Sequence, residues 1–114
     1  SDRMKFAPGQ ELFHEGDTGD SAFVILNGTA EIAVDTPTGE VKVAEAGKNS
    51  IVGEIAILAN QTRTATVRAL TSVETLRIRK DHFLRMLSDY PQGFVIRNSN
   101  FPVIGAAAGS RGLL

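Results

Sequence analysis

The sequence predicts a mainly β domain with flanking helix. Three observations carry this. Short β-branched segments alternate with a period of two over the first two-thirds of the chain, glycine-bearing turns separate them, and the apolar period becomes helical after Arg79. Residues 4–6 and 11–14 are short extended pieces on either side of a turn at Pro8 and Gly9, where the ring and the missing Cβ suit tight-turn backbone angles. The GluGlyAspThrGlyAsp run at 15–20 is a second turn. Residues 21–26 then form a strand, AsnGly at Asn27 and Gly28 signals a tight hairpin, and 29–34 is expected to return alongside. Pro37, Thr38 and Gly39 turn the chain again. Residues 40–46 alternate charged side chains with Val41, Val43 and an alanine, as a strand with one wet face does, until Gly47 breaks it. Further strands are expected at 64–70 and 73–79. A helix follows over 80–90, because Phe83, Leu84, Met86 and Leu87 recur at helical spacing and Asp81 suits the positive end of the helix dipole. Pro91 closes that helix or opens a second one through Phe94, Val95 and Ile96. The tail from Pro102 is expected to be loosely ordered, since Gly105, Gly109 and Gly112 each weaken a helix by about 1 kcal/mol relative to alanine. One domain over 1–101 and a loose tail over 102–114 is the organisation expected.

Composition narrows the function. A chain of 114 residues has room for one core and little else, so any output function is expected to lie outside it. The net charge of -1 comes from acids and bases spread along the sequence, which gives no positive field for nucleic acid. No apolar run approaches the roughly 20 residues of a membrane span, and with no basic segment followed by an apolar one at the N-terminus, no signal peptide is expected in this sequence. The absence of cysteine excludes disulfides and thiolate metal sites, and it fits, without requiring, a reducing compartment.

The segment 50–67 interrupts the β pattern. Gly53 can adopt a backbone angle closed to other residues, and Glu54, Ile55, Ala56, Ile57, Leu58 and Ala59 suit one or two helical turns. The first N–H groups of a helix lack intrahelical partners and favour an anion. Arg63, flanked by Thr64 and Ala65, adds a guanidinium that can meet a phosphate with several donors at fixed geometry. Glu54 beside a phosphate would repel it unless the carboxylate had a hydroxyl or cation of its own, and a ribose hydroxyl supplies one. Spacing alone equally admits a plain ion pair between Glu54 and Arg63 across a turn.

Three stretches carry a resemblance. They are PheAlaProGlyGlnGluLeuPheHisGluGlyAspThrGlyAspSerAlaPheValIleLeuAsnGly at 6–28, GlyGluIleAlaIleLeu at 53–58 and ArgThrAlaThrVal at 63–67. Together they resemble the cyclic-nucleotide-binding domain family of catabolite-activator-type regulators, kinase regulatory subunits and nucleotide-gated channels. The likeness covers about residues 6–90. It implies a double-stranded β-helix, a jelly-roll-like β-roll of about eight strands with a short cassette helix and a C-terminal helix. It also implies a ligand, cAMP or cGMP, held by Gly53, Glu54, Ile55, Ala56, Arg63, Thr64 and Ala65, with no cofactor and no metal. Glu54 would take the ribose 2′-hydroxyl and Arg63 the cyclic phosphate, and the N–H groups of Ala56 and Thr64 would add phosphate bonds. Relatives often carry an aromatic residue and a proline where this sequence has Val52 and Thr62, which bears on the stiffness of the loop and removes no ligand contact. Thr64 stands where alanine is frequent and permits cGMP without demanding it. The capping helix that follows in relatives has no persuasive counterpart after Pro91.

The expected role is therefore a regulatory sensor, without catalysis, that relays a conformational change to a covalently linked effector domain outside this chain. It would act in the cytoplasm or on the cytoplasmic side of a membrane protein, with no nucleic-acid or membrane contact of its own. A DNA-binding regulator would need a helix-turn-helix for which this chain has no room. The alternative is a ligand-free β-roll that docks a partner domain. His14 and His82 lack the paired spacing of a β-roll metal site. Asp17 and Asp20 fit turn formation better than a calcium loop. Phe83 and Met86 read as core. Ser50, Thr64 and Ser72 have no base at a recognisable spacing, and nothing resembles a nucleophile motif.

Overall fold

In the computed structural model, which describes residues 2–89, the chain runs β1 (Asp2–Phe6), β2 (Glu11–Phe13), β3 (Ser21–Asn27), β4 (Ala30–Thr36), β5 (Gly39–Ala46), β6 (Ile51–Val52), α1 (Glu54–Leu58), β7 (Thr66–Ala69), β8 (Val73–Arg79) and α2 (Lys80–Ser88). The strands form two four-stranded sheets, ordered β1-β8-β3-β6 and β2-β7-β4-β5, with antiparallel pairing throughout. This is the jelly-roll-like β-roll expected, with its cassette helix and its C-terminal helix.

Alternation explains how the layers stack. Phe23 and Ile25 of β3 point into the roll with Phe6, Val52 and Val73 of the same sheet, and meet Ala30, Ile32 and Val67 of the other. Ala22 and Val24, on the opposite face of β3, pack outward against Ile78, Ile57 of α1 and the buried Phe83 of α2. Because both faces are covered, β3 reads as an apolar run rather than a strict alternation. Burying a ring such as that of Phe83 contributes roughly 1.5–3 kcal/mol, which anchors α2 to the sheet.

Several expectations need correction. Asn27 and Gly28 do not close a hairpin. Both edges of β3 are taken by β6 and β8, while β4 pairs with β5 and β7, so the chain crosses from one sheet to the other at this point. The AsnGly pair specifies a tight reversal and says nothing about which strands then pair. Gly28 has φ 93, and a Cβ there would lie 2.1 Å from the carbonyl oxygen of Ser72, so glycine serves both the backbone angle and the close approach. The actual hairpin joins β4 to β5, with Thr36 opposite Gly39 around Pro37 and Thr38. β6, two residues long, was not expected. The strand expected from residue 64 begins at Thr66, which leaves Thr64 and Ala65 in the loop after α1. α2 starts at Lys80 as expected and runs to Ser88. The expectations for Tyr90, for a second helix at Pro91 and for the tail from 102 lie outside the described residues.

Candidate functional site

Two loops converge at one end of the roll. The first runs from β6 through α1 to β7. Gly53, at φ 85 and ψ 0, turns the chain into the five-residue α1, whose Ile55, Ala56 and Ile57 are buried. Glu54 begins the helix and is 1% exposed. The second loop joins β2 to β3 and is tied to the first by backbone bonds. The N–H of Arg63 donates to the Asp17 carbonyl at 2.8 Å, and the N–H of Gly16 donates to the Arg63 carbonyl at 2.9 Å. The Glu15 N–H adds a 2.9 Å bond to the Thr66 hydroxyl. These bonds hold the arginine backbone in place beside Thr62. Val52 is fully buried in the core.

The Arg63 side chain is 5% exposed. Its Nη1 donates to the Gly53 carbonyl at 2.9 Å, which spans the loop. Its Cζ lies 4.2 Å from the centre of the Phe13 ring, a cation–π contact, and Phe13 in turn packs on Phe23 at 5.9 Å. Its buried Nε has no hydrogen-bond partner among the described residues. Burial draws the guanidinium pKa down, against the opposing charges of Asp20, Asp17 and Glu54. An arginine nevertheless stays charged, so this site holds a desolvated cation with its planar donor set only partly used. Such a group suits an anion with two acceptors side by side.

Six of the seven residues expected from sequence, Gly53, Ile55, Ala56, Arg63, Thr64 and Ala65, line one pocket. Glu54 is buried at the head of the helix beside them. Phe13 lines the same pocket and was not singled out. The sequence signal was an aromatic residue ending a strand at the edge of a polar turn, which gives no hint that a guanidinium lies over its ring. Asp17 and Asp20 were read as turn residues only. Asp17 does close the turn, accepting the His14 N–H at 3.1 Å, and both aspartates also face Arg63 electrostatically. His14 sits apart, bonded through Nδ1 to Glu11 at 3.1 Å, and that contact raises its pKa. His82 is exposed on α2, and no group of three or more metal-ligating side chains occurs among the described residues.

The family model for the cyclic nucleotide-binding domain matches residues 3–90, taking in both sheets, the two converging loops and α2. The chain belongs to the cyclic nucleotide-binding domain family. By family it is a regulatory, cyclic nucleotide-binding module, and relatives carry such a domain inside longer proteins. A cAMP-dependent protein kinase regulatory subunit from Emericella nidulans is 35% identical over 86 residues, which is 75% of this chain and 20% of that protein. The lysophospholipase NTE1 of Chaetomium globosum is 30% identical over 84 residues, 73% of this chain and 6% of that enzyme. The domain therefore spans a small part of the length of these relatives. Among solved structures, the cAMP-bound form of the EAL enzyme Bd1971 superposes with a TM-score of 0.72 at 33% identity, covering 76% of this chain and 24% of that one. No helix among the described residues of this domain is long and apolar enough to cross a membrane.

Proposed function

We propose that this cyclic nucleotide-binding domain is a sensor of cAMP or cGMP whose Arg63 pairs with the cyclic phosphate. The observation that carries the reading is the buried guanidinium, with an Nε proton that has no partner among the described residues, in a pocket bordered by Gly53, Ala56 and Thr64. The N–H groups of Ala56 and Thr64 complete the phosphate contacts, Gly53, Ile55 and Ala65 shape the loop around them, and Glu54 accepts from the ribose 2′-hydroxyl. Thr64 offers a hydroxyl to a guanine amino group. Solved forms of Bd1971 with cAMP and with cGMP support keeping both ligands in the proposal.

Binding is relayed to a covalently linked effector as a shift between two populations. Two routes favour this. The loop before β3 is bonded to Arg63 at one end, and at the other the Asp20 carbonyl accepts the Lys80 N–H at 2.7 Å, at the first residue of α2. Ile57 of α1 also packs in the same cluster as Phe83 of α2. The names of the relatives, a kinase regulatory subunit and a lysophospholipase, fit a domain that reports to a separate activity. We place this module at 1–101, in the cytoplasm or on the cytoplasmic side of a membrane protein.

Isothermal titration calorimetry of the folded, nucleotide-stripped chain with cAMP and cGMP, with 5′-AMP as the uncyclised control, tests the proposal. Saturable binding of a cyclic nucleotide in preference to 5′-AMP is expected. Absence of binding to both cyclic forms would refute it in favour of a ligand-free docking module.

A further inference from the structure

We infer that Gly19 is a positioning residue for Arg63: the side chain it lacks is the space in which the guanidinium lies. The inference rests on the reading of Arg63 as the phosphate partner. Phe13 covers the guanidinium at 4.2 Å from Cζ to the ring centre. Gly19 packs equally close: a Cβ built on it would fall 2.3 Å from both Cζ and Nε and 2.8 Å from Nη2. The arginine is thus confined by an aromatic ring and a side-chain-free stretch of backbone.

The reason for glycine at 19 is unusual within this loop. Gly19 is not among the glycines with positive φ, so its backbone angle is open to other residues. Gly16, three positions earlier, shows the opposite case, with φ 91 and nothing within 4 Å of an added Cβ. Gly16 is required by conformation and Gly19 by space. The atoms that a Cβ at 19 would meet belong to the end of a flexible side chain, which can swing away. An alanine at 19 therefore displaces the arginine and leaves the roll intact. The Cβ would stand over the face of the guanidinium, equally close to Cζ and Nε, so the whole plane is pushed aside, and with it the Nε–Nη2 edge that presents two parallel donors to a phosphate.

The test compares Gly19→Ala and Gly39→Ala with the unmodified protein in thermal melting, in calorimetry and in a ligand-free nuclear magnetic resonance measurement. Calorimetry uses cAMP and cGMP alongside adenosine and guanosine, which lack the phosphate. Gly19→Ala is expected to melt within a few degrees of the unmodified chain and to lose about tenfold or more in cyclic nucleotide affinity. Nucleoside affinity should hardly change, so the cyclic-nucleotide-to-nucleoside ratio falls. Gly39→Ala, which has a positive φ of 128 with nothing within 4 Å of an added Cβ and lies in the hairpin between β4 and β5, should melt lower and keep that ratio. In the ligand-free spectrum, the Arg63 Nε–H signal should be slow to exchange and shifted by the Phe13 ring current in the unmodified protein, and should lose both features in Gly19→Ala. An unchanged affinity ratio with an unchanged Nε–H signal would overturn the inference. So would an unfolded Gly19→Ala, because the backbone at 19 is required to accept a side chain. Failure of the unmodified protein to bind any cyclic nucleotide would refute the phosphate reading instead, and the Nε–H measurement would still decide the role of Gly19.

Discussion

Replacing Arg63 by lysine separates a point charge from a shaped donor. In the native site Nη1 is committed to the Gly53 carbonyl, which leaves the Nε–Nη2 edge for the proposed phosphate. Hydrogen bonds to charged groups contribute about 1.5–3 kcal/mol each, so two of them amount to about 3–6 kcal/mol, or roughly a hundred- to ten-thousandfold in affinity. Arg63→Ala should lose that whole amount. Arg63→Lys keeps the charge but has no fork, and its compact ammonium cannot lie flat over Phe13, so it should lose about one bond, roughly ten- to a hundredfold. The order expected is arginine, lysine, alanine, with lysine clearly separated from both. Competition against a fluorescent cyclic nucleotide, with melting curves to show that each variant is folded, reads this directly. If Arg63→Lys binds within about threefold of the native chain, the fork is irrelevant and charge alone accounts for the site. If Arg63→Ala does so, Arg63 leaves the binding model.

Two other outcomes are expected. Glu54→Gln keeps the shape of a side chain that is 1% exposed while removing its charge. The preference for cAMP over 2′-deoxy-cAMP should shrink by roughly tenfold, the difference between a charge-assisted and a neutral hydrogen bond. An undiminished preference would reject the ribose assignment. Gly28→Ala should destabilise the fold by about 3 kcal/mol or more, since it combines an unfavourable positive φ with main-chain atoms that cannot swing aside. Gly9→Ala shares the positive φ, 88, with nothing within 4 Å, and should cost only about 1–2 kcal/mol. Urea unfolding distinguishes them, and equal costs would show that the contact with Ser72 carries no weight.

What the sequence disclosed is mostly local chemistry. The Pro8–Gly9 turn, the reversal at Pro37, the whole of β8 and the first residue of α2 follow from turn residues and a change of apolar period that neighbouring positions display. Strand partnership is not local. Nothing within 27–30 announces that β3 will take β6 and β8 as neighbours while β4 joins the other sheet. β6 is too short to show any period. The site divides in the same way. Gly53, Arg63 and their neighbours were legible because they lie in short motifs shared with a family. Phe13 and Gly19 were not, because each meets Arg63 only after folding, across 50 and 44 positions of chain. An aromatic residue and a glycine in a polar turn have ordinary explanations until the third partner is in view.

The pairing of the first strand with the last carries a mechanical consequence. Asp2 lies opposite Arg77 and is joined to it by a 3.0 Å ion pair, and α2 begins only three residues further on. The roll thus opens and closes on adjacent strands. A domain wired this way can be spliced into a longer protein like a bead on a folded thread, without forcing its two flanks apart. Under the proposed relay, α2 would serve as a shared hinge pin. A tilt of that helix against β8 would then be felt within one strand spacing of β1, so a single movement would reach both ends of the roll together.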